Sequence, residues 1–332
     1  MKQGPLSVLV LHEAIDAHAR PDELDALVQV RQVSTAMQDL GWLVSTLATG
    51  LDLEKTLAYI TRQQPDCVFN LVESLAGDGR LIHFVPAVLR QADTRFTGSD
   101  SDALYMSSHK LLAKNLMRQN GIMTPDFFTR RGHSGNGEAE GKDRKWIVKS
   151  VWEHASFGLD DGCVVDGVTA ALARIEACRQ RHGGEWFAEQ YIDGREFNIS
   201  VLEKDGQVQI LPMAEIDFEG YPQGKPKIVD YAAKWDENAP EYKSTRRVFP
   251  VLPGKLQQAM QDAIQQCWSC FGLDGYARVD FRVDAAGMPF VLEVNANPCL
   301  ARDAGLYAAA QQAGLSFEQL VEHIVQSGVH AG

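Results

Sequence analysis

Short apolar runs alternate with amphipathic, helix-length patterns through the first hundred residues, and this alternation restricts the fold more than any other feature. Leu6-Ser7-Val8-Leu9-Val10-Leu11 suits a buried parallel strand, and the helical pattern over residues 24–40 closes at Gly41, a natural C-cap. Trp42-Leu43-Val44 reads as a strand, 52–63 as a helix, Asp66-Cys67-Val68-Phe69-Asn70-Leu71 as a strand and 81–91 as a helix. A βαβα order of this kind builds an α/β sheet.

The pattern then changes. Residues 101–120 read as one helix closed by Asn120-Gly121, and Thr124-Pro125 opens an extended segment. A Gly- and charge-rich stretch at 132–143 reads as a mobile surface loop. Strand 146–150, a loop to 162, helix 168–181 and strand 186–192 make a smaller α+β unit. Past Gly194 two antiparallel runs, 196–204 and 207–218, join at Asp205-Gly206, a favoured hairpin dipeptide. A long polar loop (219–238), helix 254–271, a hairpin over 277–294 and two terminal helices complete a third unit. The expected division is 1–108, 109–193 and 194–332. With 332 residues, 45% of them hydrophobic, the chain can bury a core in each.

Charge and cysteine content narrow the partners. Lys+Arg 32 against Asp+Glu 44 leaves −12, a field that repels nucleic acid and anionic membrane. No apolar run reaches the roughly 18–20 residues of a membrane helix, and the N-terminus lacks a signal-peptide core, so a cytoplasmic protein is expected. The 6 cysteines are scattered and are expected to be reduced. Cys267-Trp268-Ser269-Cys270 has redox spacing but falls late in an amphipathic helix, where a packed face is the simpler account.

The chemistry concentrates in Arg278-Val279-Asp280, the turn at 285–287, and Leu292-Glu293-Val294-Asn295. Side chains two apart on a strand share a face, so Arg278 pairs with Asp280 and Glu293 with Asn295, and the turn sets the pairs side by side. Asp280, Glu293 and Asn295 then offer hard oxygen ligands suited to Mg²⁺, with Mn²⁺ as an alternative, while Arg278 can hold a phosphoryl or acyl oxygen. Neither G-x-x-x-x-G-K-[ST] nor G-x-G-x-x-G occurs where a nucleotide fingerprint would need it. Lys149, at the end of a strand and before the small-residue loop 153–158, is a phosphate grip, and Lys110 and Lys114 are further cations one helical turn apart. The strand carrying Glu189, Gln190, Tyr191 and Ile192 can read an adenine edge through its backbone.

Together these pieces resemble the ATP-grasp superfamily, most closely its D-alanine–D-alanine ligase branch, from about Val68 to Val325. The matching segments are Arg95-Phe96-Thr97-Gly98-Ser99, Lys110 and Lys114 ahead of Gly121-Ile122-Met123-Thr124-Pro125, Ile147-Val148-Lys149 and Gly194-Arg195-Glu196-Phe197. Ala233-Lys234-Trp235, Arg278-Val279-Asp280, Leu292-Glu293-Val294-Asn295 and Ala313-Gly314-Leu315-Ser316-Phe317 follow in order. The resemblance implies an α/β, three-domain ATP-grasp architecture: an N-terminal α/β sheet domain, a small central α+β domain and a C-terminal α+β domain with the metal site. It also implies that Lys110 and Lys149 hold ATP phosphates, Glu189 and Ile192 face adenine, Glu196 binds ribose and Lys234 reaches the γ-phosphate. Asp280, Glu293 and Asn295 would carry Mg²⁺, and Arg278 would stabilise an acyl phosphate.

The departures fall on the other substrates. Leu11-His12-Glu13-Ala14 replaces the branch's Gly-Gly-x-Ser-x-Glu turn, its paired serines become Ala155-Ser156, and the tyrosine after the γ-phosphate lysine becomes Trp235. Cys299 replaces the glycine after Asn-x-x-Pro, and Ala304 the serine that meets the acceptor carboxylate. Arg302 is the expected substitute for that serine, and Glu13 or Glu73 the expected amine contact. The expected activity is ATP- and Mg²⁺-dependent ligation of a small-molecule carboxylate to an amine, with no nucleic-acid or membrane partner and a homodimer as the assembly to test. D-alanyl-D-alanine synthesis and a nucleotide-binding regulator without turnover are the alternatives.

Overall fold

The computed structural model describes residues 4–15, 21–134, 144–153, 156–221, 224–236 and 238–328; the side chains of 21–23, 133, 134, 232 and 235 lie outside that description. The expected loop at 132–143 therefore falls mostly outside it.

The N-terminal alternation builds β1 (Ser7–Glu13), α1 (Pro21–Asp39), β2 (Leu43–Thr49), α2 (Leu53–Gln63) and β3 (Cys67–Asn70). The strands form a parallel sheet in the order β2-β1-β3. Val8 to Leu11 are fully buried because helices cover both faces, which is why the run is continuous rather than alternating. Asp52 caps α2, accepting from the Lys55 N–H at 3.3 Å. A 3₁₀ turn over Gly79–Leu81 leads into α3 (Phe84–Gln91), so the helix expected from 81 starts three residues later.

The single helix expected over 101–120 is two, α4 (Ser101–Ser108) and α5 (Lys110–Gln119). Lys110 N–H bonds the Val151 carbonyl at 3.0 Å, and His109 turns to extended geometry (ψ 94°) to allow it. Both helices share their core with the third sheet, where Leu104, Ala113 and Met117 meet Ile199 and Phe281.

The central unit contains β4 (Phe127–Thr129), β5 (Gly132–Ser134), β6 (Lys145–Ser150), β7 (Val164–Asp166), α6 (Gly167–His182) and β8 (Trp186–Gln190). Its sheet is antiparallel, in the order β5-β4-β8-β6-β7, with Trp146, Val148 and Ala188 buried beneath α6.

The third unit begins with β9 (Arg195–Lys204), β10 (Gln207–Ile210) and β11 (Ala214–Asp217). Asp205 and Gly206 both take positive φ (51° and 73°), as a tight hairpin requires. The run expected over 207–218 is split at Pro212, which has no N–H for a ladder. Then come α7 (Tyr231–Trp235), α8 (Pro240–Ser244), β12 (Arg246–Val248), α9 (Gly254–Phe271), β13 (Tyr276–Val283), β14 (Pro289–Asn295), α10 (Gly305–Gln312) and α11 (Phe317–Gln326). The sheet order is β12-β11-β9-β13-β14, with β10 also on β9.

The last two helices return to the N-terminal sheet, where Leu320, Val321 and Ile324 pack with Val8, Val10 and Phe69. Arg95 ties that join: its Nη2 donates to the carbonyls of Val325 and Gln326 at 2.6 and 2.9 Å, meeting the free end of α11. All six cysteines are unpaired, and Cys267 is buried on α9 as a packing residue. Among the described residues no helix is long and apolar enough to cross a membrane.

Candidate active site

Three adjacent strands of the third sheet place their polar residues in rows on one face. Register pairs Glu196 with Arg282, Asn198 with Asp280, and Ser200 with Arg278 across β9 and β13; across β13 and β14 it pairs Asp280 with Glu293 and Arg278 with Asn295. The opposite face carries Phe197, Ile199, Val201, Val279 and Phe281, all buried. Strand alternation thus turns every charged group of this segment to one side and anchors it by the apolar core on the other.

That polar face is one wall of a cleft of about 560 Å³, which Arg278, Asp280, Glu293, Glu196 and Asn198 line. The facing wall comes from the central unit and the start of α5, and carries Lys149, Glu189 and Ile192 from the first and Lys110 from the second. Gly194, at the passage between the walls, is fixed by close approach, since a Cβ there would collide with the Val283 carbonyl.

Lys114 and Lys149 both pair with Glu189, the latter at 2.8 Å, with Lys114 and Glu189 essentially inaccessible. The two ammonium groups hold the Glu189 carboxyl below its ordinary value although burial pushes the other way. Glu189 therefore bridges Lys114 and Lys149 as a charged carboxylate. Lys149 itself is pushed up, burial being outweighed by the Glu189, Glu293 and Glu196 carboxylates. Lys110 is pushed down by burial, and its Nζ donates to the Glu153 carbonyl at 2.7 Å. Lys114, which is not a cleft-lining residue, also donates to Thr124 Oγ1 at 2.9 Å.

On the opposite wall, Arg278 Nε and Nη2 each reach the Asp280 carboxylate at 2.8 Å. Asn295 Nδ2 donates to Asp280 at 3.2 Å and to Glu293 at 3.4 Å. Burial pushes Asp280 up, Arg278 opposes that, and the Glu293 carboxylate adds to it. A buried carboxylate (Asp280) and a half-buried one (Glu293) facing each other around one amide fit a divalent cation, whose charge would offset their repulsion; rotating the Asn295 amide would present its oxygen instead. Among the described residues no group of three or more His, Cys, Asp or Glu could hold a metal, so two carboxylates and an amide are the candidate set.

Glu196 Oε2 accepts from Arg282 at 2.8 Å, which leaves the other carboxylate oxygen for a ligand. Ser156 stands at φ 61°, a strained value for a non-glycine residue, and its hydroxyl donates to the Val229 carbonyl at 2.7 Å. Lys234 rides on α7, whose start Asp230 caps through the Ala233 N–H at 2.7 Å, and it lines the cleft. Ala155 and the Trp235 side chain lie outside the described residues.

The structure does not bring Arg302 to the cleft. Its Nη2 pairs with Glu318 at 2.7 Å and its guanidinium lies 4.3 Å from the Phe317 ring centroid, so the expected carboxylate contact is corrected. Glu13 ends β1 and is buried off the cleft lining. Glu73 is likewise off the lining and accepts from Gln29 Nε2 at 3.3 Å, although it lies in the electrostatic range of Lys234 and Arg278.

Other residues escaped the sequence reading. Asp25, Gln29 and Gln32 form a stripe on α1 that holds the segment after Asn-x-x-Pro: Asp25 accepts from the Cys299 thiol at 3.6 Å, Gln29 from Leu300 N–H at 2.6 Å and Gln32 from Arg302 N–H at 2.7 Å. Their spacing of four and three on an amphipathic helix was the available signal. Arg247 also lines the cleft, and the adjacent arginines before Val248 were its only mark.

A lysine-bearing wall facing a carboxylate-and-amide wall across an interdomain cleft is the arrangement of an ATP-grasp carboxylate–amine ligase. The profile described as "D-ala D-ala ligase C-terminus" matches residues 116–326, and the chain belongs to that family. It is 30% identical over 297 residues to a D-alanine--D-alanine ligase of Syntrophotalea carbinolica, covering 89% of this chain and 88% of the relative. It is equally 30% identical over 260 residues, 78% of this chain and 73% of the relative, to the uncharacterized protein y4sG of Sinorhizobium fredii. Its fold matches the Bacillus anthracis D-alanine--D-alanine ligase complexed with ATP, with a TM-score of 0.73, 19% identity and 97% of each chain covered.

Proposed function

We propose that the chain uses ATP and Mg²⁺ to join the carboxylate of an amino acid or small peptide to an amine through an acyl phosphate. One observation carries this reading: the cleft sets Lys110 and Lys149 opposite Asp280, Glu293 and Arg278, with no activated nucleophile among its described lining residues. Ser156 spends its hydroxyl on Val229, and burial keeps the Cys299 thiol protonated. Such a set orients reactants and offsets charge, which is what phosphoryl transfer demands.

In this reading a substrate carboxylate oxygen attacks the γ-phosphorus and ADP leaves. The amine nitrogen of the second substrate then attacks the acyl carbon, loses a proton and expels phosphate. Lys110 and Lys149 hold ATP phosphates, Lys234 meets the γ-phosphate, Ile192 faces adenine and Glu196 takes ribose. Arg278 steadies the acyl phosphate, and Asp280, Glu293 and Asn295 would hold Mg²⁺, which when bound would supply positive charge to offset that of the phosphates.

D-alanine with D-alanine is not the preferred pair in this proposal, because Ala304 offers no hydroxyl to an acceptor carboxylate and starts α10 without a side-chain cap. The test is phosphate release from ATP over pairs of D- and L-amino acids and small amines. Release that requires both a carboxylate and an amine supports the ligase. Release indifferent to both counts against it, and efficient D-alanyl-D-alanine formation overturns the substrate assignment.

A further inference from the structure

Arg247, on β12, and Arg278, on β13, both border the end of the cleft where Asp303, Ala304 and Gly305 begin α10. Arg278 has spent Nε and Nη2 on Asp280. Arg247 has spent far less: Nη1 donates to the Asp303 carbonyl at 3.3 Å, and among the described residues it pairs with no carboxylate. Its Nε and Nη2, the edge that fits a carboxylate as a fork, remain available.

Gly305 packs beside that guanidinium. A Cβ there would lie 3.7 Å from Arg247 Nη2 and 3.8 Å from Nε, so the guanidinium already rests against the first residue of α10. Arg247 is open to solvent at its outer side; partial desolvation and then the Arg278 charge still push it below its ordinary value, with Asp303 opposing in part. The two guanidinium charges oppose each other across the cleft, and an anion held at Arg247 would offset that opposition. Asp25, at the same end, faces Asp303 and Lys234 and supplies a charge for an ammonium group.

We propose that Arg247 binds the carboxylate of the acceptor through Nε and Nη2, so that the acceptor is an amino acid or a peptide with a free carboxylate rather than a simple amine. The inference rests on the ligase reading and deepens it. The reacting carboxylate of the donor must lie beside Asp280 and Glu293, whereas β12 is the sheet's far edge from β14, so a carboxylate read there belongs to the second substrate. Arg247 replaces Arg302 in this role and answers the missing hydroxyl at Ala304.

Two experiments decide it. In phosphate-release assays with ATP and Mg²⁺, each acceptor amino acid is paired with its carboxamide. Wild type should prefer the acid by about 100-fold in kcat/KM, and Arg247→Ala should raise the acceptor KM about 100-fold, erase that preference and shift the ATP KM by less than about threefold, with partial recovery in Arg247→Lys. An unchanged acceptor KM, or a preference that survives in Arg247→Ala, overturns the assignment. In the second experiment, independent of turnover, phenylglyoxal labelling of Arg247 is read by mass spectrometry in the presence of a non-hydrolysable ATP analogue. The amino-acid panel should protect Arg247 and the carboxamide panel should not; equal labelling overturns the assignment. Should phosphate release be indifferent to both carboxylate and amine, the ligase reading is what fails, and the labelling still decides Arg247.

Discussion

Asp280, Glu293 and Asn295 meet around one amide because strand register puts them there, and each contributes charge or an oxygen rather than packing. Asp280→Asn and Glu293→Gln should therefore lower phosphate release by about 100-fold or more, as expected when one preorganised electrostatic contact is lost; thermal midpoint should stay near wild type in Glu293→Gln but fall in Asp280→Asn, which also takes the charge partner from Arg278. Wild-type rates from both would remove the metal assignment. The lysines separate by burial. Lys114 is fully buried against Glu189, so Lys114→Met should cost about 2 kcal/mol in urea unfolding by removing one of the two ammonium partners of that carboxylate, Lys149 keeping the other. Lys149 reaches the cleft, and Lys149→Ala should lose phosphate release far more than Lys55→Ala, whose side chain is 85% exposed. Equal activities in those two variants would deny Lys149 a phosphate role.

At the scale of elements, two segments clasp each other over the cleft. Ser156 bonds Val229, Tyr231 N–H reaches the Leu159 carbonyl at 3.3 Å, Lys225 pairs with Asp161 at 2.9 Å, and Lys227 N–H donates to Tyr191 Oη at 3.1 Å. Contacts of this kind exclude water where phosphoryl transfer would occur, so hydrogen exchange in 156–161 and 224–231 should slow when a non-hydrolysable ATP analogue binds. Identical exchange with and without the analogue would show that the clasp is not a lid. Sequence carried much of this architecture, because period-two alternation in 278–283 and 291–295 leaves one way to face Asp280 and Glu293. It did not carry the break at His109, where the apolar pattern is continuous and only the Val151 carbonyl, distant in sequence, pulls the Lys110 N–H away. Arg247 was hidden for a similar reason: a three-residue strand has no periodicity to show which way its side chains face. The α1 stripe was legible as spacing, but its partners, residues 299–302, lie some 270 positions away.

Over the whole molecule, the chain folds back on itself, with α10 and α11 closing the N-terminal sheet and Arg95 tying α11 to the strand end. Near that join, burial and then the Glu203 and Asp100 charges raise Asp274 to about 6 from its ordinary 3.8. A raised carboxyl favours the protonated, folded form, so its stabilising contribution is complete below 3.8 and is lost as pH rises through about 6. Asp274→Asn should therefore stabilise the protein at pH 7.5 by about 1 kcal/mol, after allowance for solvent screening, with the gain vanishing near pH 4. A gain independent of pH would contradict that cause. The central claim is that this interdomain cleft makes an acyl phosphate, and oxygen tracing tests it most directly. Amino acids labelled with ¹⁸O in both carboxylate oxygens are turned over with ATP, Mg²⁺ and amine acceptors, and the released phosphate is weighed by mass spectrometry. The account predicts one ¹⁸O in each phosphate released during amide formation; phosphate carrying no label from the carboxylate would contradict it.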